Sequence, residues 1–255
     1  AARVASTKSS NESDDPVLLA LKDTNAHVAV AAAEGIQNDF KKKNELLALA
    51  HSTKNFRVQS ALYKTLLISS PVLIQEIKET YMKSSSDYQK ASLLMALSSD
   101  INAYSFIAKE LIESKIPVIK TSAAQALTIL NRSNQFSEKL KPVFADLYKS
   151  ALVNADPSVI GIISSALADS TLGYRSFISD YSFLQEVRNT LTLPKDYEAI
   201  KPLDQALAWF ERRKKPITPK NEFNHPINWE LVRSISKNQH VRIFTDKGEI
   251  TLVLL

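Results

Sequence analysis

The sequence contains no cysteine, which excludes disulfide bonds, thiolate metal sites and a cysteine nucleophile. Glycine is scarce as well, with only Gly35, Gly161, Gly173 and Gly248 scattered along the chain. This scatter excludes a glycine-rich phosphate-binding loop and favours helices over glycine-rich β architecture. No apolar run reaches the roughly 20 residues that a transmembrane helix needs, so we expect no membrane span. We expect no cofactor and no bound metal.

The rest of the composition is that of an ordinary folded chain. Of its 255 residues, 44% are hydrophobic and 23% are charged, which is enough for a sizeable core. The net charge of +5 is small for this length, so we expect no nucleic-acid partner. The first residues are polar and do not form a signal peptide, which leaves the compartment open, the periplasm and cell envelope included.

A pattern recurs along much of the chain with a period of 30 residues. It is clearest in PVIKTSAAQALTIL at Pro117–Leu130, which Val118 heads. Stepping back from Val118 in thirties gives Tyr88, Val58 and Val28. Three residues after the four heads stand Ala31, Ala61, Ala91 and Thr121, and eight after stand Ile36, Leu66, Ala96 and Ala126. A fixed period of this kind predicts stacked helix pairs, whose small residues let backbones approach closely.

A fifth copy of the pattern, DPSVIGIISSAL, begins at Asp156 and is displaced by 41 residues, so we expect a longer helix or loop before it. Each copy is predicted to have an inner and an outer helix. The predicted inner helices are Ala26–Gln37, Phe56–Leu67, Ser86–Ser98, Pro117–Leu130 and Pro157–Ala168. The predicted outer helices are Lys42–His51, Pro71–Met82, Ala103–Ser114, Ser137–Val153 and Tyr174–Leu191. Predicted N-terminal capping residues are Asp15, Asp23, Ser70 and Asp156.

The composition changes at both ends of the repeats and defines five segments. Residues 1–15 are predicted to be a disordered lead-in, and residues 16–193 to hold the helical repeats. Residues 194–213 are predicted to contain a capping helix (Lys195–Arg213) for the open end of the repeats. Residues 214–240 are predicted to be a proline-rich linker with a short helix in INWELVRSI, at Ile227–Ile235. Residues 241–255 alternate as two β-strands.

These last residues predict a β-hairpin. Asp246, Lys247 and Gly248 separate two β-rich runs and suit a three-residue loop, with Gly248 in the left-handed position. We expect both hairpin faces to be apolar. An isolated hairpin is marginally stable in water, so we expect the chain to be a fragment that stops as a β domain begins.

The repeats resemble the HEAT-like repeat families, in particular their short variety. The matching segments are DTNAHVAVAAAEGI, NFRVQSALYKTLL and IPVIKTSAAQAL, each with a turn residue, a Val and then small residues before Leu or Ile. The copy headed by Tyr88 departs from the pattern because it lacks the Val. The resemblance implies an all-α fold, a HEAT-like α-solenoid (α-α superhelix), to which the sequence adds a short C-terminal β-hairpin.

The C-terminal segment NHPINWELVRSISKNQHVRIFTDKGEITLVLL resembles the start of a cyclophilin-type peptidyl-prolyl isomerase domain, in its strand, T-x-x-G turn and second strand. Together with the repeats, it is similar to bacterial multidomain isomerases of that family. In the family, the active-site arginine lies downstream in a Phe-His-Arg motif, which this sequence lacks, and Arg242 does not match that position. The resemblance implies that a parent isomerase would have its catalytic residues beyond Leu255. We therefore expect this chain to be inactive and assign it no catalytic, cofactor-binding or metal-binding residue.

Other polar groups have structural interpretations. His27, His51, His225 and His240 are too dispersed to bind a metal together. The basic cluster Arg212–Lys215 is interpreted as the solvated end of a helix, and the acidic pairs Asp14-Asp15 and Glu76/Glu79 as surface charges. Trp209 and Trp229 are expected to anchor the capping helix and the linker against the repeats, with peptide docking as the alternative role for an exposed tryptophan.

Two functional hypotheses follow. The first is a non-catalytic module of a peptidyl-prolyl isomerase, which binds a client polypeptide or partner protein in the groove of the solenoid. The second is a stand-alone HEAT-like scaffold without enzyme activity, whose terminal hairpin pairs with itself or with another protein. Self-association through the exposed hairpin edges is expected to be compatible with either. A nucleic-acid-binding solenoid is the third and least favoured hypothesis.

Overall fold

The computed structural model describes residues 16–36, 40–217, 219 and 226–253. The chain divides into two compact units, Ala1–Pro219 and Lys220–Leu255. The boundary falls inside the proline-rich segment predicted to be a linker. The chain is mostly helical, with a short two-stranded antiparallel sheet at its C-terminal end. The predicted lead-in 1–15, including Asp14 and Asp15, lies outside the described residues.

Twelve α-helices are described in the first unit and one in the second. They are α1 Pro16–Leu21, α2 Ala26–Glu34, α3 Lys43–Ser52, α4 Phe56–Leu67, α5 Leu73–Lys83, α6 Asp87–Leu97, α7 Tyr104–Glu113, α8 Pro117–Asn131, α9 Lys141–Leu152, α10 Pro157–Ala168, α11 Ser182–Thr190, α12 Tyr197–Phe210 and α13 Trp229–Ser234. Short 3₁₀ turns at Ile101–Ala103, Glu138–Leu140 and Tyr174–Ser176 precede α7, α9 and α11.

The starts of the even-numbered helices are set by short polar side chains. Asn55 Oδ1 accepts a hydrogen bond from the Arg57 amide at 3.0 Å, and Asp156 Oδ1 accepts one from the Ser158 amide at 2.9 Å. Asn25 and Ser86 cap α2 and α6 in the same way. Such a cap satisfies a backbone donor that the first turn of a helix leaves unpaired. α8, which begins at Pro117, and α12, which begins at Tyr197, differ from these four because neither has a side-chain cap.

The cap prediction is confirmed at Asp156 and wrong at two other positions. Asp23 lies two residues too early, and its carboxylate accepts from the Asn25 amide at 2.7 Å while Asn25 caps the helix. Ser70 is also too early, because Pro71 and Val72 form a turn and α5 begins only at Leu73. Asp and Ser hydrogen-bond nearby amides in turns as readily as at helix starts, so their presence alone does not locate the cap.

The even-numbered helices form a row in which each contacts the next. The contacts run α2–α4, α4–α6, α6–α8, α8–α10 and α10–α12, and we call these six helices the even-helix row. The odd-numbered helices pack against their sequence neighbours in the row. The core lies between the two sets, and Ile36, Leu66, Ala96 and Ala126, each eight residues after a head of the 30-residue pattern, are all buried in it.

One polar contact spans a full period of the sequence pattern. Gln89 Nε2 of α6 donates to Gln59 Oε1 of α4 at 3.1 Å, and the two residues are 30 positions apart. They occupy equivalent places in successive helix pairs. The predicted period therefore corresponds to a real spacing between neighbouring helices of the row.

The displaced fifth copy is explained by the segment before α9. The expected long outer helix Ser137–Val153 is instead a 3₁₀ turn followed by α9. Phe136, in the preceding loop, packs edge-on against Phe144 of α9 with ring centroids 4.9 Å apart. The additional residues thus add aromatic rings to the core as well as lengthening the chain.

The predicted outer helix Tyr174–Leu191 is also interrupted. A 3₁₀ turn at Tyr174–Ser176 ends before α11 begins at Ser182. Gly173 has a φ of 69°, the Tyr174 ring is fully buried, and Asp180 Oδ1 accepts from the Ser182 amide at 3.0 Å. The burial of Tyr174 and the local turn around Asp180 compete with a continuous helix, so this prediction is wrong in its extent.

A helix is present within the predicted stretch Lys195–Arg213, with shorter bounds, as α12. It packs against α10 and α11 and is the last helix of the row. Its C-terminus is closed by a Schellman motif, in which the Arg213 amide donates to Ala208 O at 2.9 Å and the Arg212 amide to Trp209 O at 3.3 Å. Arg212 accordingly has a φ of 57°.

The second unit contains α13 and an antiparallel hairpin of β1 (His240–Thr245) and β2 (Gly248–Val253). All of its described side chains are exposed. The turn has two residues, Asp246 and Lys247, since Thr245 pairs directly with Gly248. Gly248 has a φ of 138°, so glycine is favoured there, but as the first residue of β2 and not within a three-residue loop.

The register gives the hairpin one aliphatic face. Val241 pairs with Leu252 and Ile243 with Ile250, and because side chains alternate along a strand these four lie on the same side. The other side holds mainly polar residues, although Phe244 and Val253 also lie there, and Arg242 forms an ion pair with Glu249 at 3.6 Å. The prediction of two apolar faces is therefore corrected: one face holds the four aliphatic side chains, and the other holds Arg242, Glu249 and Thr251 beside Phe244 and Val253.

Candidate functional site

The exposed side of the even-helix row contains three cavities whose lining residues all come from the row or from residues adjoining its helices. The odd-numbered helices contribute none of these residues. Small side chains of the 30-residue pattern help to form these cavities. Ala31 and Ala61 line them at positions where longer side chains would fill the space. The cavities therefore lie on the face opposite the odd-numbered helices.

The largest of these three cavities lies across α2, α4 and α6 and has a volume of about 740 Å³. Its lining is Val30, Glu34, Ile36, Arg57, Ser60, Ala61, Lys64, Thr65, Ile68, Ser92, Met95 and Ala96. We call it the N-terminal cavity. A smaller cavity of about 270 Å³ between α2 and α4 shares Val30, Glu34 and Arg57 with it, so the two adjoin.

The third cavity lies across α8, α10 and α12 and has a volume of about 590 Å³; we call it the C-terminal cavity. Its lining is Gln125, Thr128, Arg132, Pro157, Ser158, Gly161, Ile162, Ser165, Glu198, Ala199 and Pro202. Gly161 faces α12 here, and a Cβ at this position would lie 3.7 Å from Pro202 Cγ. That is an ordinary van der Waals distance, so the contact of α10 with α12 does not depend on glycine.

The charge of Arg132 at the C-terminal cavity is neutralised within the protein. Its Nη2 donates to Asp169 Oδ2 at 3.2 Å and its Nε to the same oxygen at 3.4 Å. The pKa of Asp169 is lowered, first by the hydrogen bond from the Thr171 hydroxyl and then by the Thr171 amide and Arg132. A lowered pKa keeps this carboxylate ionised beside the guanidinium.

The N-terminal cavity has cations without such partners. Arg57 and Lys64 are seven residues apart on α4, so they lie on one face of the helix, two turns from each other. Within the described part of the chain, neither side chain has an ion-pair or hydrogen-bond partner. Glu34 is the only acidic residue of this lining, and the cavity therefore has an excess of positive charge.

Tyrosine–carboxylate hydrogen bonds connect odd-numbered helices to the even-helix row and to each other. The Tyr63 hydroxyl donates to Glu76 Oε1 at 2.7 Å, and the Tyr81 hydroxyl donates to Glu110 Oε2 at 2.6 Å. Burial raises the pKa of both phenols, and the carboxylate acceptors raise it further, so both remain protonated donors. They join α4 to α5 and α5 to α7, which makes them structural contacts.

The histidines predicted to be dispersed have separate surroundings. His27 lines the smaller cavity, His51 Nε2 lies 2.7 Å from Glu76 Oε1, and His240 begins β1. His225 lies outside the described residues. Over the residues that the structure describes, no group of three or more His, Asp or Glu side chains could hold a metal ion.

The acidic pair Glu76/Glu79 and the basic cluster Arg212–Lys215 differ in how far they follow their predicted interpretations. Glu76 is not a plain surface charge, because it accepts from Tyr63 and contacts His51, whereas Glu79 accepts only from Gln75 at 3.1 Å. The basic cluster Arg212–Lys215 begins directly after the last turn of α12, where the Arg212 and Arg213 amides close the helix, and the Arg213 side chain pairs with Glu211.

The two tryptophans have different surroundings. Trp209 is half-buried at the end of α12, where the Arg175 guanidinium lies 4.1 Å from the ring centroid and Nη1 donates to Trp209 O at 3.0 Å. Trp229 of α13 is 58% exposed, and its anchoring role stays a prediction. Arg57 and Lys64 are not among the predicted site residues, although their spacing of seven residues on the helix that contains Ala61 places them on one helix face.

Comparison with protein-family models, with curated proteins and with solved structures finds no match to this chain. No helix in the described ranges is both long enough and apolar enough to cross a membrane. The candidate site is therefore defined by its own geometry, namely two larger cavities and a smaller one on the exposed face of the even-helix row.

Proposed function

We propose that this chain is a HEAT-like α-solenoid that binds a polypeptide along the exposed face of the even-helix row. The observation on which this depends is the position of the three cavities on that face, in a row of helices of which the first four, α2, α4, α6 and α8, are related by the 30-residue period. Clefts of several hundred Å³ are of the size that proteins use for ligands, and a row of helices offers them in succession. An extended polypeptide is the ligand that can occupy successive cavities at once.

We further propose that the module is the non-catalytic part of a cyclophilin-type peptidyl-prolyl isomerase. Support comes from the hairpin, whose sequence resembles the start of that domain and whose aliphatic face is the kind of surface that a larger sheet would bury. Isomerisation needs a donor near the prolyl nitrogen and an apolar pocket for the ring, against a barrier of roughly 18–20 kcal/mol. We assign the chain no such constellation and expect it to leave the uncatalysed rate unchanged.

Binding is tested with a fluorescently labelled, reduced and carboxymethylated protein as the extended polypeptide. Ser165 lies exposed on α10 in the C-terminal cavity, and Ser150 lies exposed on α9 outside the three linings. Ser165→Trp fills the cavity and should raise the Kd at least fivefold in fluorescence anisotropy, whereas Ser150→Trp should leave the Kd unchanged. Equal effects of the two substitutions, or no binding by the wild-type chain, would contradict the proposed groove.

A scaffold without an enzymatic partner is the second candidate, and the aliphatic hairpin face favours it as well. Under this hypothesis Val241, Ile243, Ile250 and Leu252 bury against a second copy or another protein. Sedimentation velocity over a range of concentrations tests it. Dimerisation that Ile243→Asp abolishes would favour the scaffold, and a longer gene product with isomerase activity would favour the module.

A further inference from the structure

We infer that the N-terminal cavity binds a polypeptide segment in which an acidic side chain lies next to an aliphatic one. This inference depends on the proposed function, since it specifies the ligand of the same face. The apolar part of the cavity is formed by Val30, Ala61, Ile68 and Met95, with Ile68 45% exposed. A volume of about 740 Å³ accommodates an aliphatic side chain together with neighbouring backbone.

The polar groups of the lining restrict the ligand further. The hydroxyls of Ser60, Thr65 and Ser92 donate to carbonyl oxygens of their own helices, at 2.8, 3.3 and 2.9 Å. Their donor protons are therefore occupied. Arg57, Lys64 and Glu34 are the charged groups left to meet a ligand, and two of the three are cations.

The two larger cavities differ in whether their cations are already paired, and this difference indicates which ligand charge the N-terminal cavity prefers. At the C-terminal cavity the Arg132 guanidinium already forms an ion pair with Asp169. At the N-terminal cavity no described carboxylate occupies Arg57 or Lys64, so a carboxylate from the ligand can pair with either. An acidic side chain on the ligand supplies this charge, and the neighbouring aliphatic side chain reaches the apolar part.

The test uses the full chain and fluorescein-labelled peptides that differ only at the central pair: Asp-Leu, Lys-Leu and Asp-Ser. We expect the Asp-Leu peptide to bind most tightly in fluorescence anisotropy. The double substitution Arg57→Ala and Lys64→Ala should raise its Kd about three- to tenfold and flatten its salt dependence. The matched control, Lys83→Ala with Lys115→Ala, removes the same charge from exposed positions outside the three linings and should leave the Kd unchanged.

The possible outcomes separate this inference from the proposed function. Equal affinity for the three peptides, with the carboxymethylated protein still bound and Ser165→Trp still weakening it, would overturn the inference and leave the groove intact. If the wild-type chain bound neither the peptides nor the carboxymethylated protein, both the inference and the proposed function would be overturned. Tighter binding of a single-stranded oligonucleotide than of the Asp-Leu peptide would also overturn the inference, because the cations would then be meeting phosphates. Preference for Asp-Leu that the cavity variant removes and the control variant keeps supports it.

Discussion

At the scale of single residues, glycine has different roles at two positions in the first unit. Gly161 lies inside α10 with ordinary space around its missing side chain, whereas Gly173 has a φ of 69° ahead of the 3₁₀ turn. A side chain is compatible with the first backbone conformation and strained in the second. The same residue type is therefore replaceable at one position and required at the other.

We predict that Gly161→Ala stabilises the protein by about 0.5–1 kcal/mol, because alanine has the higher helix propensity and its Cβ fits beside Pro202. Gly173→Ala should instead destabilise it by about 1 kcal/mol or more, since an L side chain rarely adopts that φ. Urea denaturation followed by circular dichroism measures both. Destabilisation of equal size by the two substitutions would show that the approach of α12 to α10 is tighter than the structure indicates.

At the scale of helices, a buried ion pair joins the consecutive helices α11 and α12. Arg188 Nε of α11 donates to Asp204 Oδ1 of α12 at 2.8 Å, and the Asp204 side chain is only 5% exposed. Its second oxygen has no protein partner in the described residues. Removing Arg188 would leave a buried carboxylate without compensation, which is costly.

We therefore predict that Arg188→Ala lowers the free energy of unfolding by about 3 kcal/mol. Arg132→Ala is the comparison: it breaks the more exposed ion pair with Asp169 and should cost less than about 1 kcal/mol. Adding Asp204→Asn to Arg188→Ala should recover part of the loss, since a neutral amide is less costly to bury. No recovery, or equal costs for the two arginines, would mean that the buried charge is not the cause.

At the scale of the whole molecule, four tyrosines connect stability to alkaline pH. Burial raises the pKa of Tyr63, Tyr81, Tyr148 and Tyr174 above the ordinary value of 10.0. A raised pKa in the folded state means that stability is fully present below pH 10 and falls as the pH rises above it, because the unfolded chain then ionises more readily.

We predict that the free energy of unfolding is flat with respect to these groups below pH 10 and decreases above it. Tyrosinate absorbance should show these four phenols ionising together with the loss of helical circular dichroism. Tyr148→Phe removes one buried phenol and should make the decline shallower. Ionisation of all eight tyrosines before any loss of helix would contradict the burial of these four phenols.

Helix bounds and turn positions that depend on neighbouring residues could be predicted from the sequence. The inner helices Phe56–Leu67 and Pro157–Ala168 have the predicted bounds, because their apolar spacing and N-terminal signals act over a few neighbouring residues. The turn at Asp246-Lys247 was located correctly for the same reason, although its length was not. The interrupted helix after Gly173 was missed, since the buried position of Tyr174 depends on the rings of other helices.

The sequence by itself determined a mostly helical chain, the 30-residue period, the Asp156 cap and the C-terminal hairpin, because each depends on neighbouring residues and on regular spacing. Only the tertiary structure decided the even-helix row, the cavities on its exposed face and the partners of charged groups. Glu76 meets Tyr63 and His51, and Asp169 meets Arg132, through the packing of separate helices and loops. Which cations remain unpaired, and hence what the N-terminal cavity can bind, depends on distances across helices that no local pattern specifies.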